Sequence, residues 1–261
     1  MSGTVKRRSM TGIEVRLRRI FREDDRSVVV ALDHAQFQGA IPGLESMRSI
    51  VKQVVAGGAD GVILNPGAAR DCAEIYAGRC ALIVRVTGAS TSYNPAFDYH
   101  RQICSIEQAV ALGADAVIAM GFVGNEGEVG SLALLSEIAD TCHRFGVPLI
   151  AEMLPAAEGK FQDADWIGLA ARVGYELGAD IIKAYTTGTD ADVQIISNCL
   201  LPFLAAGGPK SSNPAAIASQ AIARGAAGVA FGRNVFGGEN PEQVVRDLVG
   251  AVHVMYEEEA G

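Results

Sequence analysis

Lys183 lies inside the apolar stretch ADIIKAYTTG (179–188), where a charge is conspicuous. In a strand, Ile181, Lys183 and Tyr185 share one face, and Ile182 and Ala184 the other. Burying an ammonium among apolar side chains is expensive unless it is partnered or put to use. A desolvated amine that gives up its proton can attack a ketone or aldehyde and form a Schiff base. The iminium then draws electrons from a neighbouring C–C bond and lets that bond break. The same lysine could also snorkel from a strand end or pair with a carboxylate, so both readings stand at this point.

Two glycine-rich turns supply a second kind of chemistry. In AAGGPKSS (205–212) and FGRN (231–234), Gly207, Gly208 and Gly232 can present backbone N–H groups to a phosphate, with Lys210 or Arg233 adding charge. Equally, these glycines serve as plain tight turns. Asn213 and Pro214 read as the N-cap and first position of the following helix. Asp33, in ALDHAQ, either caps a turn or carries a proton toward Lys183. The four histidines and five cysteines make no HxxH, HxH or CxxC spacing, so neither a catalytic metal nor any other cofactor is expected. No Ser-His-Asp order and no GxGxxG after a strand is present, which argues against hydrolase and dehydrogenase chemistry.

These residues need a scaffold, and the chain spells one out. Strand patterns at 27–33, 60–65, 81–88, 115–120, 148–154, 180–185, 202–208 and 228–233 alternate with helical patterns such as SLALLSEIADTCHRFG and WIGLAARVGYELG. Such alternation means βαβ units and a parallel sheet, and eight of them fit an α/β fold of the (β/α)8 TIM-barrel kind. The punctuation repeats: AGGAD (56–60), LGAD (112–115), LGAD (177–180) and RGAA (224–227) each read as a helix end, a left-handed glycine and a strand start. Residues 26–261 form one catalytic domain on this reading, and residues 1–25 a short basic arm. On this fold the active site lies at the C-terminal ends of the strands. That rim collects Asp33, His34, Asn65, Arg85, Thr87, Glu152, Lys183, Tyr185, Lys210 and Arg233.

Composition agrees with a globular enzyme: 261 residues, 49% hydrophobic, 20% charged and 6% aromatic. The formal charge is −8; residues 1–26 hold eight Lys/Arg against four Asp/Glu, hence +4, leaving −12 for the rest. The arm segment IEVRLRRIF has spaced apolar residues, as expected of a short helix docked on an acidic body or on a neighbouring subunit rather than on nucleic acid. No apolar run approaches the roughly 20 residues of a membrane span, and the N-terminus lacks a signal-peptide core. An odd number of cysteines without paired spacing fits reduced thiols, so the cytoplasm is the expected compartment.

The motifs ALDHAQFQG (31–39), GADIIKAY (178–185), AAGGPKSS (205–212) and GVAFGRNVF (228–236) together resemble the class I archaeal-type fructose-bisphosphate aldolase family, in the group that joins the DeoC, LacD and FbaB aldolases. That family includes aminodideoxyheptulosonate synthases and the thiolase acting on phosphorylated autoinducer-2 products, and RLRRIF (16–21) with DHAQFQG looks most like the thiolase branch. The resemblance implies Lys183 as the Schiff-base lysine and Asp33 as an acid/base residue. It places a phosphate at Gly207, Gly208, Gly232 and Arg233, and it implies a homo-oligomeric ring such as a decamer. One departure matters: where the family has a catalytic Tyr-Pro pair after the fifth strand, this chain has Leu154-Pro155. A leucine carries no transferable proton. Either Tyr185 takes the role, or the substrate is not fructose bisphosphate.

Three functions compete at this stage. The first is a class I aldolase-type lyase or transferase on a small phosphorylated ketone, including the thiolase variant acting on 3-hydroxy-2,4-pentanedione 5-phosphate. The second is a phosphate-binding isomerase or synthase that uses Asp33 and Glu152 as acid and base, with Lys183 as a clamp. The third is an inert sugar-phosphate sensor.

Overall fold

The computed structural model describes residues 11–94 and 100–253. Eight parallel strands close into a barrel in chain order: β1 (Ser27–Ala31), β2 (Gly61–Leu64), β3 (Ala81–Arg85), β4 (Ala116–Val123), β5 (Leu149–Pro155), β6 (Ile181–Ala184), β7 (Phe203–Ala206) and β8 (Gly228–Phe231). Helices lie between them, so the fold is the expected (β/α)8 barrel. The differences are at strand ends. The 81–88 pattern stops at Arg85, and Thr87–Gly88 instead pairs antiparallel with Arg101–Gln102. Gly207–Gly208 leave β7 to form a turn, and Arg233 opens a four-residue helix, Arg233–Phe236, instead of ending β8.

The repeated glycine–aspartate punctuation has a physical use. Gly58, Gly113, Gly178 and Gly225 all have positive φ, between 85° and 102°, a conformation that costs a Cβ-bearing residue energy. The aspartate that follows sits below the next strand and accepts a backbone N–H from the neighbouring one. Asp60 takes Val28 at 2.6 Å, Asp115 takes Leu82 at 3.1 Å, and Asp180 takes Leu149 at 2.9 Å. In the fourth copy Ala227 has no carboxylate, and its carbonyl accepts Ser27 N at 3.0 Å.

The helix Thr11–Ile20 closes the bottom of the barrel. Leu17, Ile20 and Phe21 join the interior cluster of Val29, Ile63, Ile83, Ile118, Ile150, Ile181 and Leu204. Burial of Ile20 and Phe21 is worth about 1.5–3 kcal/mol each. Around this plug, Arg19 reaches Asp115 at 2.9 Å and Arg22 reaches Asp60 at 2.5 Å. The arginines thus meet the same aspartates that tie the strand bases, and the helix docks on its own acidic barrel.

Candidate active site

Inward-facing positions continue by twos up each strand. Val29, Ile83, Ile150 and Ile181 fill the lower interior, and two to four residues higher come Asp33, Arg85, Glu152 and Lys183. The barrel interior therefore changes from apolar to ionic within one turn of side chains, at the C-terminal end. Glu152 and Lys183 are register partners across β5 and β6.

The four charges form one alternating chain. Lys183 Nζ lies 2.6 Å from Glu152 Oε1, while Glu152 Oε2 accepts from an Arg85 terminal nitrogen. Arg85 Nε donates to Asp33 Oδ2 at 2.7 Å. All four side chains are nearly inaccessible: Asp33 3%, Arg85 3%, Glu152 6% and Lys183 5% exposed. Burial alone would push the Asp33 carboxyl up, but Arg85, helped by His34 and Lys183, holds it well below the usual carboxylate range. Glu152 follows the same pattern. Burial raises it, and Lys183 and then Arg85 outweigh that and leave it lowered. Arg85 is raised by Glu152 and Asp33 against a burial effect that would lower it. One Arg85 nitrogen, Nη1, is buried with no hydrogen-bond partner. His34 Nδ1 sits 3.4 Å from Asp33 Oδ1, too long for a full hydrogen bond.

Above this chain opens a cavity of about 400 Å³. One side is glycine-rich. Gly208 has φ +64°, and a Cβ on Gly232 would stand 2.6 Å from His34 Cε1. Only glycine lets the backbone come this close. Asn234 holds the two turns together: its amide donates to Gly207 O at 2.7 Å and Pro209 O at 3.3 Å, and its oxygen accepts Ser211 N at 2.7 Å. Arg233 and Tyr185 both line the cavity, and the Arg233 charge partly offsets the influences that raise the Tyr185 phenol. Burial, with the Glu152 charge, raises the Tyr185 phenol, which therefore stays protonated. Its ring packs against Phe161 in a tilted arrangement, centroids 4.5 Å apart. The lining also includes the apolar residues Met120, Phe122, Leu154 and Phe161.

Of the residues singled out from sequence, Asp33, Lys183, Tyr185, Gly207, Gly208, Gly232 and Arg233 all line this cavity. Lys210 does not; it is exposed on the outer side of the 207–211 turn. Arg85, a rim residue in sequence, carries the same signal that marks Lys183: a charge at an inward position of an apolar strand, ALIVR. Asn234 carries no distinctive pattern in sequence, being an asparagine beside an arginine in a turn. Among the described residues, no group of three or more His, Cys, Asp or Glu side chains converges as a metal site.

Comparison with known proteins places this geometry. The sequence profile of the DeoC/LacD family aldolases matches residues 27–238. The 2-amino-3,7-dideoxy-D-threo-hept-6-ulosonate synthase 1 of Archaeoglobus fulgidus is 35% identical over 94% of this chain and 92% of its own. The 2-amino-4,5-dihydroxy-6-oxo-7-(phosphonooxy)heptanoate synthase of Streptomyces griseus is 32% identical over 92% of this chain and 89% of its own. A crystal structure of an archaeal fructose 1,6-bisphosphate aldolase superposes with a TM-score of 0.84 at 27% identity, covering 92% of this chain and 98% of that one. A further structure of an archaeal fructose-1,6-bisphosphate aldolase, with the catalytic Lys covalently bound to the carbinolamine intermediate of the substrate, gives 0.84 at 26% identity over 92% of this chain and 99% of that one. With a family match spanning the barrel and a relative above 30% identity over nearly the whole chain, the protein belongs to the DeoC/LacD family and is a class I aldolase.

Proposed function

We propose that Lys183 forms a Schiff base with a small, singly phosphorylated ketone and that the enzyme makes or breaks the adjacent C–C bond. The observation that carries this reading is the buried Lys183 amine at the catalytic end of the barrel, 2.6 Å from a carboxylate and open to a cavity with a glycine-rich side. The iminium withdraws electrons from the neighbouring bond. Asp33, held ionised by Arg85, can take a proton or a hydrogen bond from a substrate hydroxyl but cannot donate at neutral pH. The phosphate sits against Gly207, Gly208 and Gly232, with Arg233 and the protonated Tyr185 hydroxyl as donors.

The rest of the cavity favours one phosphate over two. Among the described lining residues, Arg85 and Lys183 are consumed by carboxylates, and Arg233 is the cation with no carboxylate partner. The lining residues Met120, Phe122, Leu154 and Phe161 bring a second phosphate no charge. Turnover across a panel of phosphorylated ketones, with fructose 1,6-bisphosphate included, tests this. Weak fructose 1,6-bisphosphate cleavage is expected, since the proton transfer lost with the tyrosine at 154 is worth about 10²–10⁴-fold. Efficient cleavage of the bisphosphate would sink the substrate assignment. A thiolase variant of the same chemistry, passing an acyl group from 3-hydroxy-2,4-pentanedione 5-phosphate to coenzyme A, is supported by the RLRRIF and DHAQFQG segments and by Leu154; dependence of turnover on added thiol separates it from simple cleavage. A homo-oligomer of the cytoplasm completes this reading. Among the described residues no helix is long and apolar enough to cross a membrane.

A further inference from the structure

Schiff-base formation needs a proton taken from the lysine ammonium and a proton given to the departing oxygen. The described groups at the site narrow the carrier. Leu154 has none to give. Asp33 lies at the far end of the ion chain and is bonded to Arg85 at 2.7 Å, not to the lysine. The Tyr185 phenol is raised by burial and by the Glu152 charge, so it stays protonated and cannot take the ammonium proton. Glu152 Oε1, by contrast, stands 2.6 Å from Nζ, held there from behind by Arg85 on its other oxygen. Its place is built into the sheet, because Glu152 and Lys183 are adjacent in register and point the same way into the cavity.

We propose that Glu152 is the catalytic proton carrier of imine formation. The proposal rests on the Schiff-base reading above. In the first step the Lys183 ammonium gives one proton to Glu152 Oε1, leaving a neutral amine and a neutral carboxylic acid. The Nζ lone pair then attacks the carbonyl carbon; the C–N bond forms, the carbonyl π pair moves to oxygen, and a proton passes from nitrogen to that oxygen. Glu152 next returns its proton to the carbinolamine hydroxyl. The C–O bond breaks, water leaves, and the nitrogen lone pair closes the C=N bond. The product iminium carries the positive charge that Lys183 began with, again facing an ionised Glu152. The three ammonium protons end as one on the iminium nitrogen and two in water.

The environment lets the carboxyl change roles. Lys183 contributes more than Arg85 to holding Glu152 ionised, and burial opposes both. Once the amine is neutral, the largest of the lowering influences is gone while burial remains. Glu152 then holds its proton until the iminium restores the charge. Arg85 keeps the carboxyl aimed throughout and takes no proton itself.

The test is the rate of borohydride-trappable adduct on Lys183, sampled in time with dihydroxyacetone phosphate as the probe. Wild type should trap. Glu152→Gln should slow trapping about 10²–10⁴-fold, the usual worth of one acid–base residue, with binding of inorganic phosphate unchanged. In Glu152→Ala, added formate should restore part of the rate by occupying the vacated carboxylate position, whereas Lys183→Met should show neither trapping nor rescue. Glu152→Asp keeps the charge if the other variants fold poorly; it should trap more slowly than wild type with a shifted pH dependence. Trapping by Glu152→Gln at the wild-type rate, or Glu152→Ala without formate rescue, would overturn this role for Glu152. Absence of trapping in wild type would overturn the Schiff-base reading itself.

Discussion

Replacing Arg85 by methionine removes the positive charge between Asp33 and Glu152 while filling much of the same volume. Both carboxylates lose a direct partner in a region where Arg85 and Asp33 are each 3% exposed. Breaking a buried pair typically costs about 3–5 kcal/mol, because the remaining charge stays buried without compensation. For a chain of this size each kcal/mol moves Tm by about 2–4 °C, so a fall of about 6–20 °C is expected at pH 7. The pH dependence has a definite sign. In wild type the folded Asp33 lies below its unfolded value, so its contribution is complete above about pH 4 and is lost only in stronger acid. In Arg85→Met the largest lowering influence on Asp33 is gone while burial remains, and the folded carboxyl is expected to rise above the unfolded value. Such a group destabilises at neutral pH, and the cost fades as pH falls through its folded value. The stability gap between the two proteins should therefore narrow from pH 7 to pH 5. Denaturant unfolding followed by circular dichroism at both pH values measures it. A gap under about 1 kcal/mol at pH 7, or one that widens in acid, would refute the reasoning.

Arg233→Ala should raise KM for phosphorylated substrates about 10- to 100-fold, through loss of a charge-assisted contact of about 1.5–3 kcal/mol, with unphosphorylated analogues little affected; steady-state kinetics on matched pairs checks this, and an unchanged KM would move the phosphate elsewhere. Asn234→Ala should weaken binding of inorganic phosphate about tenfold or more, because Gly207 O, Pro209 O and Ser211 N lose the side chain that joins the two turns. Calorimetric titration gives the answer, and wild-type affinity would show that the turns hold their shape alone.

The barrel was readable because its signals are local. Alternating strand and helix patterns, and a left-handed glycine followed by aspartate in three of four copies, each reflect a backbone requirement met within a few residues. Lys183 stood out for the same reason, as a charge at an inward position of an apolar strand. The ion chain was less legible. It joins residues from β1, β3, β5 and β6, and only closure of the sheet brings Arg85 between Asp33 and Glu152. The suggestion that Tyr185 takes over from the absent tyrosine comes from its shared strand face with Lys183, and Tyr185 does line the cavity. The carboxylate beside the amine is contributed by the neighbouring strand. Lys210 misses the cavity because after Gly208 the turn carries it outward, which no pattern in GGPKSS reveals.

The most direct measurement is intact mass, followed by peptide mapping, after incubation with dihydroxyacetone phosphate and borohydride. The account predicts a single reduced adduct per chain, located on Lys183 and absent from Lys183→Met. An unmodified chain that still turns over phosphorylated ketones, or turnover that survives in Lys183→Met, would contradict it.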